Sequence, residues 1–205
     1  VLNSIISIVV SYLLGSISFS ILFARWLRKI DIRDHGSGNA GATNTLRVLG
    51  KGPAIAVFLL DIAKGSVAVL IGLWLRDGGH WVPVVCGLAA IAGHNWPVFF
   101  RFKGGKGIAT TVGALVIWAF FPTLIAGVIA ILVIVFTRYV SLGSMIFAVL
   151  LPILFYLFDL EAAYVWGAIA VAILAIARHR KNIVKLVNGT ENKLGSSKKG
   201  EPHGV

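Results

Sequence analysis

The 205 residues are 58% hydrophobic and only 13% charged, with a mean hydropathy of +0.89. A soluble domain of this length carries about twice that charged fraction, so the composition excludes a soluble globular enzyme and predicts an all-α, polytopic membrane protein. The formal net charge of +11 then acts as a topology signal on the cytoplasmic side, as a field for an anionic ligand, or as both.

Apolar runs predict helices over 2–27, 53–75, 81–98, 108–121, 122–137, 142–158 and 161–178. The first is too long for a cleaved signal sequence and runs on into further membrane-type sequence. Several others fall short of the ~20 residues that cross a bilayer comfortably. The stretch 108–137 reads either as one long helix or as two spans hinged at Phe120-Phe121-Pro122. Charge decides between these. With the hinge, seventeen of the nineteen Lys and Arg lie on one side, leaving Arg76 opposite and Lys64 inside a span. The enrichment of Lys and Arg in cytoplasmic loops therefore favours seven transmembrane helices, the N-terminus outside and the C-terminus cytoplasmic. Pro122 suits the first turn of a helix, where its missing N–H costs little. The expected organisation is one transmembrane helical domain over 1–190, with a site on its cytoplasmic face, and a flexible cytoplasmic tail over 191–205. The lone Cys86, in an apolar run, excludes a disulfide framework or thiolate metal cluster and reads as packing.

Between the first two spans stands "RDHGSGNAGATNTLRVLGKG", residues 33–52. Gly36-Ser37-Gly38-Asn39-Ala40-Gly41 spells a dinucleotide fingerprint, but no parallel strand precedes it and no βαβ unit follows. The physics behind the fingerprint still holds. Glycines let backbone N–H groups converge on an anion, and a helix starting near Gly41 adds its positive end. Ser37, Gly38, Asn39, Thr43, Asn44 and Arg47 are the candidate binders here. In the second span, Asp61 and Lys64 lie three apart on one helical face and are expected to pair as scaffold, since charges in a span are costly alone.

The next polar stretch, "GHNWPVFFRFKGGKGIATTVGAL", covers 93–115. Its basic, glycine-rich backbone meets a helix start, but Lys106 is followed by Gly107 rather than Ser or Thr, so this is no Walker A loop. An anion site is expected from Gly104, Gly105, Gly107, Lys106 as a point charge, and Thr110 or Thr111 one turn deeper. His94, alone at a helix end, reads as structural. "RYVSLGSM", 138–145, brings Ser141 and Ser144 to a helix start as candidates for capping or binding. "ARHRKNIVKLVNGTENK", 177–193, places His179 and Asn182 where the last span exits, with Glu191 beyond. His179 can serve there as donor, base or phosphate ligand.

These stretches together predict a cytoplasm-facing anion site assembled from four segments. No metal cluster and no carboxylate pair suited to glycosidic work is visible, and no nucleophile elbow appears. The acyl-CoA acyltransferase pattern of His, four residues and Asp is absent, since the fifth residue after His35, His94 and His179 is Ala40, Phe99 and Val184. Many phosphate binders with little covalent apparatus suggest a reaction driven by positioning and charge.

"GSGNAGATN", "GHNWPVFFRFKGGKGIAT" and "RHRKNIVKLVNGTENK" resemble, in order, the three signature motifs of the bacterial PlsY family. These are integral-membrane glycerol-3-phosphate acyltransferases that take their acyl group from acyl-phosphate. The resemblance covers nearly the whole chain and includes the serine motif and "LDIAKG". It implies a seven-helix fold in the bacterial inner membrane, acyl-phosphate and glycerol 3-phosphate as partners, and lysophosphatidic acid and phosphate as products, without cofactor or metal. By carry-over it implies that Ser37, Arg47, Lys106, Ser144, His179 and Asn182 bind substrates and act in catalysis. Gly104, Gly105 and Gly107 would form the phosphate loop, and Glu191 would anchor the tail. A transporter or channel for an organic phosphate is the alternative from another class, but charges along the spans are too sparse to mark an anion path. A phosphatase acting on acyl-phosphate would differ only in using water. Nucleic acid is not an expected partner, because the positive charge tracks a membrane side rather than a groove.

Overall fold

A computed structural model describes residues 1–76 and 79–195. Nine α-helices are present among the described residues: α1 (Leu2–Gly15), α2 (Phe19–Arg28), α3 (Ala42–Leu49), α4 (Lys51–Trp74), α5 (Trp81–Asn95), α6 (Ile108–Trp118), α7 (Phe120–Thr137), α8 (Val140–Leu157) and α9 (Ala162–Val187). Single 3₁₀ turns at Ile32–Asp34 and Val98–Phe100 complete the helical content, and no strand occurs among the described residues. The all-α expectation agrees with this.

The expected number of crossings does not. Six stretches are long and apolar enough to cross a membrane: Leu2–Arg28, Lys51–Trp74, Trp81–Phe100, Phe120–Thr137, Val140–Leu157 and Ala162–Val187. The predicted fourth span shortens to α6, whose 11 residues rise only about 16 Å against a hydrocarbon core of about 30 Å. Its end is set by Ala119, extended at φ −159°, ψ 97°, so the break precedes the expected hinge at Phe120-Phe121-Pro122. The seven predicted transmembrane helices are thus corrected to six. The outside placement of the N-terminus and cytoplasmic placement of the C-terminus rested on the odd count, and they lose that basis.

Small residues bring the helices close, as packing between apolar helices requires. Gly15 of α1 lies against the Ala90 backbone of α5, and Gly93 of α5 against the Tyr12 carbonyl. Gly65 of α4 meets the Thr110 carbonyl of α6, and Gly113 of α6 meets that of Ile62. A side chain at any of these would collide with backbone. On the other flank, Val69, Val84, Leu115, Trp118, Phe147, Leu151 and Phe155 form the main buried cluster. The end of α6 that starts at Gly107, the end of α7 at Arg138, the start of α8 and the C-terminal part of α9 all meet at one face of the bundle. α9 runs nine residues beyond the predicted end at 178. The basic exit of the last span is therefore helical, and His179 and Asn182 fall three apart on one face.

Of the predicted tail, residues 191–194 are held against the bundle. Leu194 N–H donates to the Arg138 carbonyl at 2.7 Å, and Arg138 Nη2 donates back to the Leu194 carbonyl at 2.8 Å. Residues 196–205 lie outside the described residues.

Candidate active site

The first glycine-rich stretch folds into an ordered loop capped by α3. Asn44, buried in α3, donates from Nδ2 to the carbonyls of Ile32 and His35 and accepts the Ser37 N–H at 2.7 Å. Its amide is fully used in holding the loop, where Gly36 and Gly38 take left-handed φ of +62° and +72°. This arrangement leaves Ser37 and Gly38 exposed at the loop tip and Asn39 partly covered. Thr43 instead lines a shallow apolar groove between α3 and α4 with Leu46, Ile55 and Phe58. Arg47, in the last turn of α3, is exposed.

The second stretch sits behind this loop. Gly105 N–H donates to the His94 carbonyl at 3.1 Å. Side chains at Gly104 or Gly105 would strike the His94 carbonyl, or the His94 ring and the Ala40 carbonyl. Gly107 has φ +80°, a conformation that favours glycine, and it directs the chain into α6. Thr110 is fully buried one turn on, its hydroxyl without a protein partner.

From this loop Lys106 reaches α9. Its Nζ donates to Asn182 Oδ1 at 2.6 Å, Asn182 Nδ2 donates to Glu191 Oε1 at 2.9 Å, and Ser141 Oγ donates to the same carboxylate oxygen at 3.1 Å. One chain of hydrogen bonds thus joins the glycine loop, α9, the tail and α8. Burial pushes the Lys106 ammonium down to about 8, with Glu191 opposing the shift and Arg47, Arg178 and Lys185 adding to it. Glu191 is within electrostatic reach of both Lys106 and Arg47. His179, one helical turn from Asn182 and within electrostatic reach of Lys106, is buried. Its Nδ1 donates to the Ala175 carbonyl at 2.8 Å, so the neutral ring keeps its lone pair at Nε2. Ser144 Oγ donates to the Val140 carbonyl of its own helix at 2.8 Å, one turn beyond Ser141.

A separate trio lies deeper. Lys64 Nζ stands 2.8 Å from Asp61 Oδ1, 2.7 Å from the Ile17 carbonyl and 3.0 Å from His94 Nδ1. The break between α1 and α2 leaves that carbonyl free to accept. All three side chains are buried, and His94 connects the trio to the glycine loop.

Ser141, expected to cap or bind at a helix start, bonds the Glu191 carboxylate. Three other residues of this site escaped the sequence reading. Asn95 is fully buried beside Gly107 with no protein partner for its amide. Arg178 and Arg33 both bind backbone carbonyls near the loop. Their type and position read equally well as ordinary basic flanks of a span, so no sequence signal separated them.

Known proteins resemble this chain in sequence and fold. A family model described as glycerol-3-phosphate acyltransferase matches residues 5–189. A glycerol-3-phosphate acyltransferase of Shouchella clausii is 54% identical over 202 residues, covering 95% of this chain and 98% of that protein. Its counterpart in Halalkalibacterium halodurans is 55% identical over 193 residues, covering 92% and 94%. Crystal structures of PlsY, an integral membrane glycerol 3-phosphate acyltransferase, superpose on this fold. The glycerol 3-phosphate form has a TM-score of 0.89 at 37% identity and covers 94% of this chain and 96% of that one. The lysophosphatidic acid form has a TM-score of 0.87 at 36% identity, covering 94% and 95%.

Proposed function

Because the chain belongs to the glycerol-3-phosphate acyltransferase family, we propose that it moves a fatty acyl group from acyl-phosphate to the 1-hydroxyl of glycerol 3-phosphate. The products are 1-acylglycerol 3-phosphate and inorganic phosphate. It is a multi-pass protein of the bacterial inner membrane. The reactive face is the cytoplasmic one, on the ground that the Lys and Arg gather there.

The observation that carries this reading is the bond chain from Lys106 through Asn182 to Glu191. An ammonium has three donors, and Lys106 uses one on protein, leaving two for phosphate oxygens. Arg47 of α3, within electrostatic reach of Lys106 and Glu191, and the exposed Ser37 orient the acyl-phosphate together with Asn182. The groove beside Thr43 gives the acyl chain an apolar bed open to the bilayer. The hydroxyl oxygen of glycerol 3-phosphate bonds to the acyl carbon, and the carbon–oxygen bond to phosphate breaks, its electron pair leaving with phosphate. The hydroxyl proton passes to His179 Nε2, the nitrogen left basic by the bond from Nδ1 to Ala175. Glycerol 3-phosphate, acyl-phosphate and released phosphate are all anions, which accounts for the basic, glycine-rich surroundings.

Purified protein given palmitoyl-phosphate should release phosphate and form lysophosphatidate together, both dependent on glycerol 3-phosphate, and neither from palmitoyl-CoA. Phosphate without lysophosphatidate would make the protein a hydrolase. Neither product, from folded protein, would defeat the enzymatic reading.

A further inference from the structure

We infer that Arg178 is a positioning residue for the glycine loop, gripping it by its carbonyls so that Lys106 is presented to phosphate; this rests on the proposed acyl transfer. Arg178 Nη2 donates to the Gly105 carbonyl at 2.6 Å and to that of Gly104 at 3.4 Å, and Nε donates to Gly105 at 3.2 Å. Its guanidinium lies 5.4 Å over the Trp96 ring, a cation–π seat that fixes its plane. No carboxylate pairs with it among the described residues, so backbone carbonyls carry its charge.

The other end of the loop is held in the same way. Arg33 Nη1 takes the carbonyls of Phe100 and Lys103 at 2.9 and 3.2 Å, while Asp31 fixes its far edge at 2.6 Å. Two guanidiniums thus hold four carbonyls between residues 100 and 105. In a planar trans peptide, the carbonyl and the following N–H point to opposite sides. Gripping the Gly104 carbonyl therefore aims the Gly105 N–H away, where it meets His94. Gripping the Gly105 carbonyl likewise aims the Lys106 N–H away from Arg178. A planar fork reaches two neighbouring carbonyls at once, and an ammonium does not hold that geometry. Arg178 acts through the loop and not on the reacting atoms.

The test uses the full chain in lipid nanodiscs, with Arg178→Lys, Arg178→Gln, Trp96→Leu and Gly105→Ala. Inorganic phosphate binding is read by titration calorimetry, which needs no turnover, and KM and kcat are measured for both substrates. Arg178→Lys should weaken phosphate binding about tenfold or more, the size of one lost charge-assisted hydrogen bond. KM of a phosphate-bearing substrate should rise by the same factor, with kcat at saturation within about threefold. Trp96→Leu should do the same to a smaller degree, and this readout survives if an Arg178 variant fails to fold. Gly105→Ala should weaken binding similarly, and Arg178→Lys added to it should cost little more, because both disturb one loop. Multiplying effects, or a fall in kcat with phosphate binding unchanged, would overturn the inference. Failure of wild-type protein to make lysophosphatidate would instead defeat the reaction, while the phosphate titration would still read the grip on the loop.

Discussion

Two lysines in this molecule sit in apolar surroundings and are treated in opposite ways. Lys64 is buried with three acceptors around its ammonium: a carboxylate, a carbonyl and an imidazole nitrogen. Lys106 is partly covered and has one, the Asn182 amide oxygen. An ammonium with every donor occupied is scaffold, because nothing remains to offer a ligand. One left short of acceptors, with burial depressing its charge, is poised to gain from an anion. The number of open donors, more than burial, separates structure from function here.

The largest effect expected from this contrast belongs to Lys106→Met. Removing two open donors at about 1.5–3 kcal/mol each should lower kcat/KM by roughly 10²- to 10⁴-fold, with the unfolding temperature unchanged or raised. Lys64→Met should do the reverse, destabilising by about 3–5 kcal/mol because Asp61 is left buried and unpaired, and Asp61→Asn should restore part of that. Thermal unfolding in detergent checks both. A stable but inactive Lys64→Met protein would break the contrast.

His179→Gln sharpens it from the side of the chemistry. If Nε2 takes the proton, turnover should fall about 10²- to 10⁴-fold with glycerol 3-phosphate affinity little changed, as a binding titration would show. A parallel loss of affinity would make His179 a ligand instead.

The pH dependence of Lys106 carries two opposite signs. It is charged below about 8, so KM should rise as pH climbs through that value and the ammonium loses its proton. Stability should move the other way. A lysine lowered from its ordinary 10.5 penalises the folded state below about 8, and the penalty fades between there and 10.5. Both trends should vanish in Lys106→Met. The smallest effect is expected of Ser141→Ala, about 1 kcal/mol of tail docking, read as faster proteolysis near Glu191.

Much of this was legible beforehand, for identifiable reasons. Hydropathy marks six of the helices because lipid-facing residues must be apolar whatever they pack against. It misplaces the end of α6, since "LVIWAFFPTLIAG" is apolar throughout and only the backbone at Ala119 records the break. Lys106, Asn182 and Glu191 stood out as polar groups in places where packing does not need them. The internal task of Asn44 did not, because its bonds reach back 9 and 12 residues to carbonyls in another turn. A guanidinium bound to carbonyls looks, in a sequence, like one facing lipid phosphate, and so Arg33 and Arg178 stayed hidden.

The bond between Lys106 and Asn182 spans 76 residues, and Glu191 lies a further 9 beyond. A chain inserting into the membrane from its N-terminus as it is made therefore settles α1 to α6, with their glycine contacts and the Asp61–Lys64–His94 trio, before any of the partners of Lys106 exist. The glycine loop acquires its opposite wall only with the last stretch, when Asn182 reaches Lys106 and Glu191 docks on Ser141.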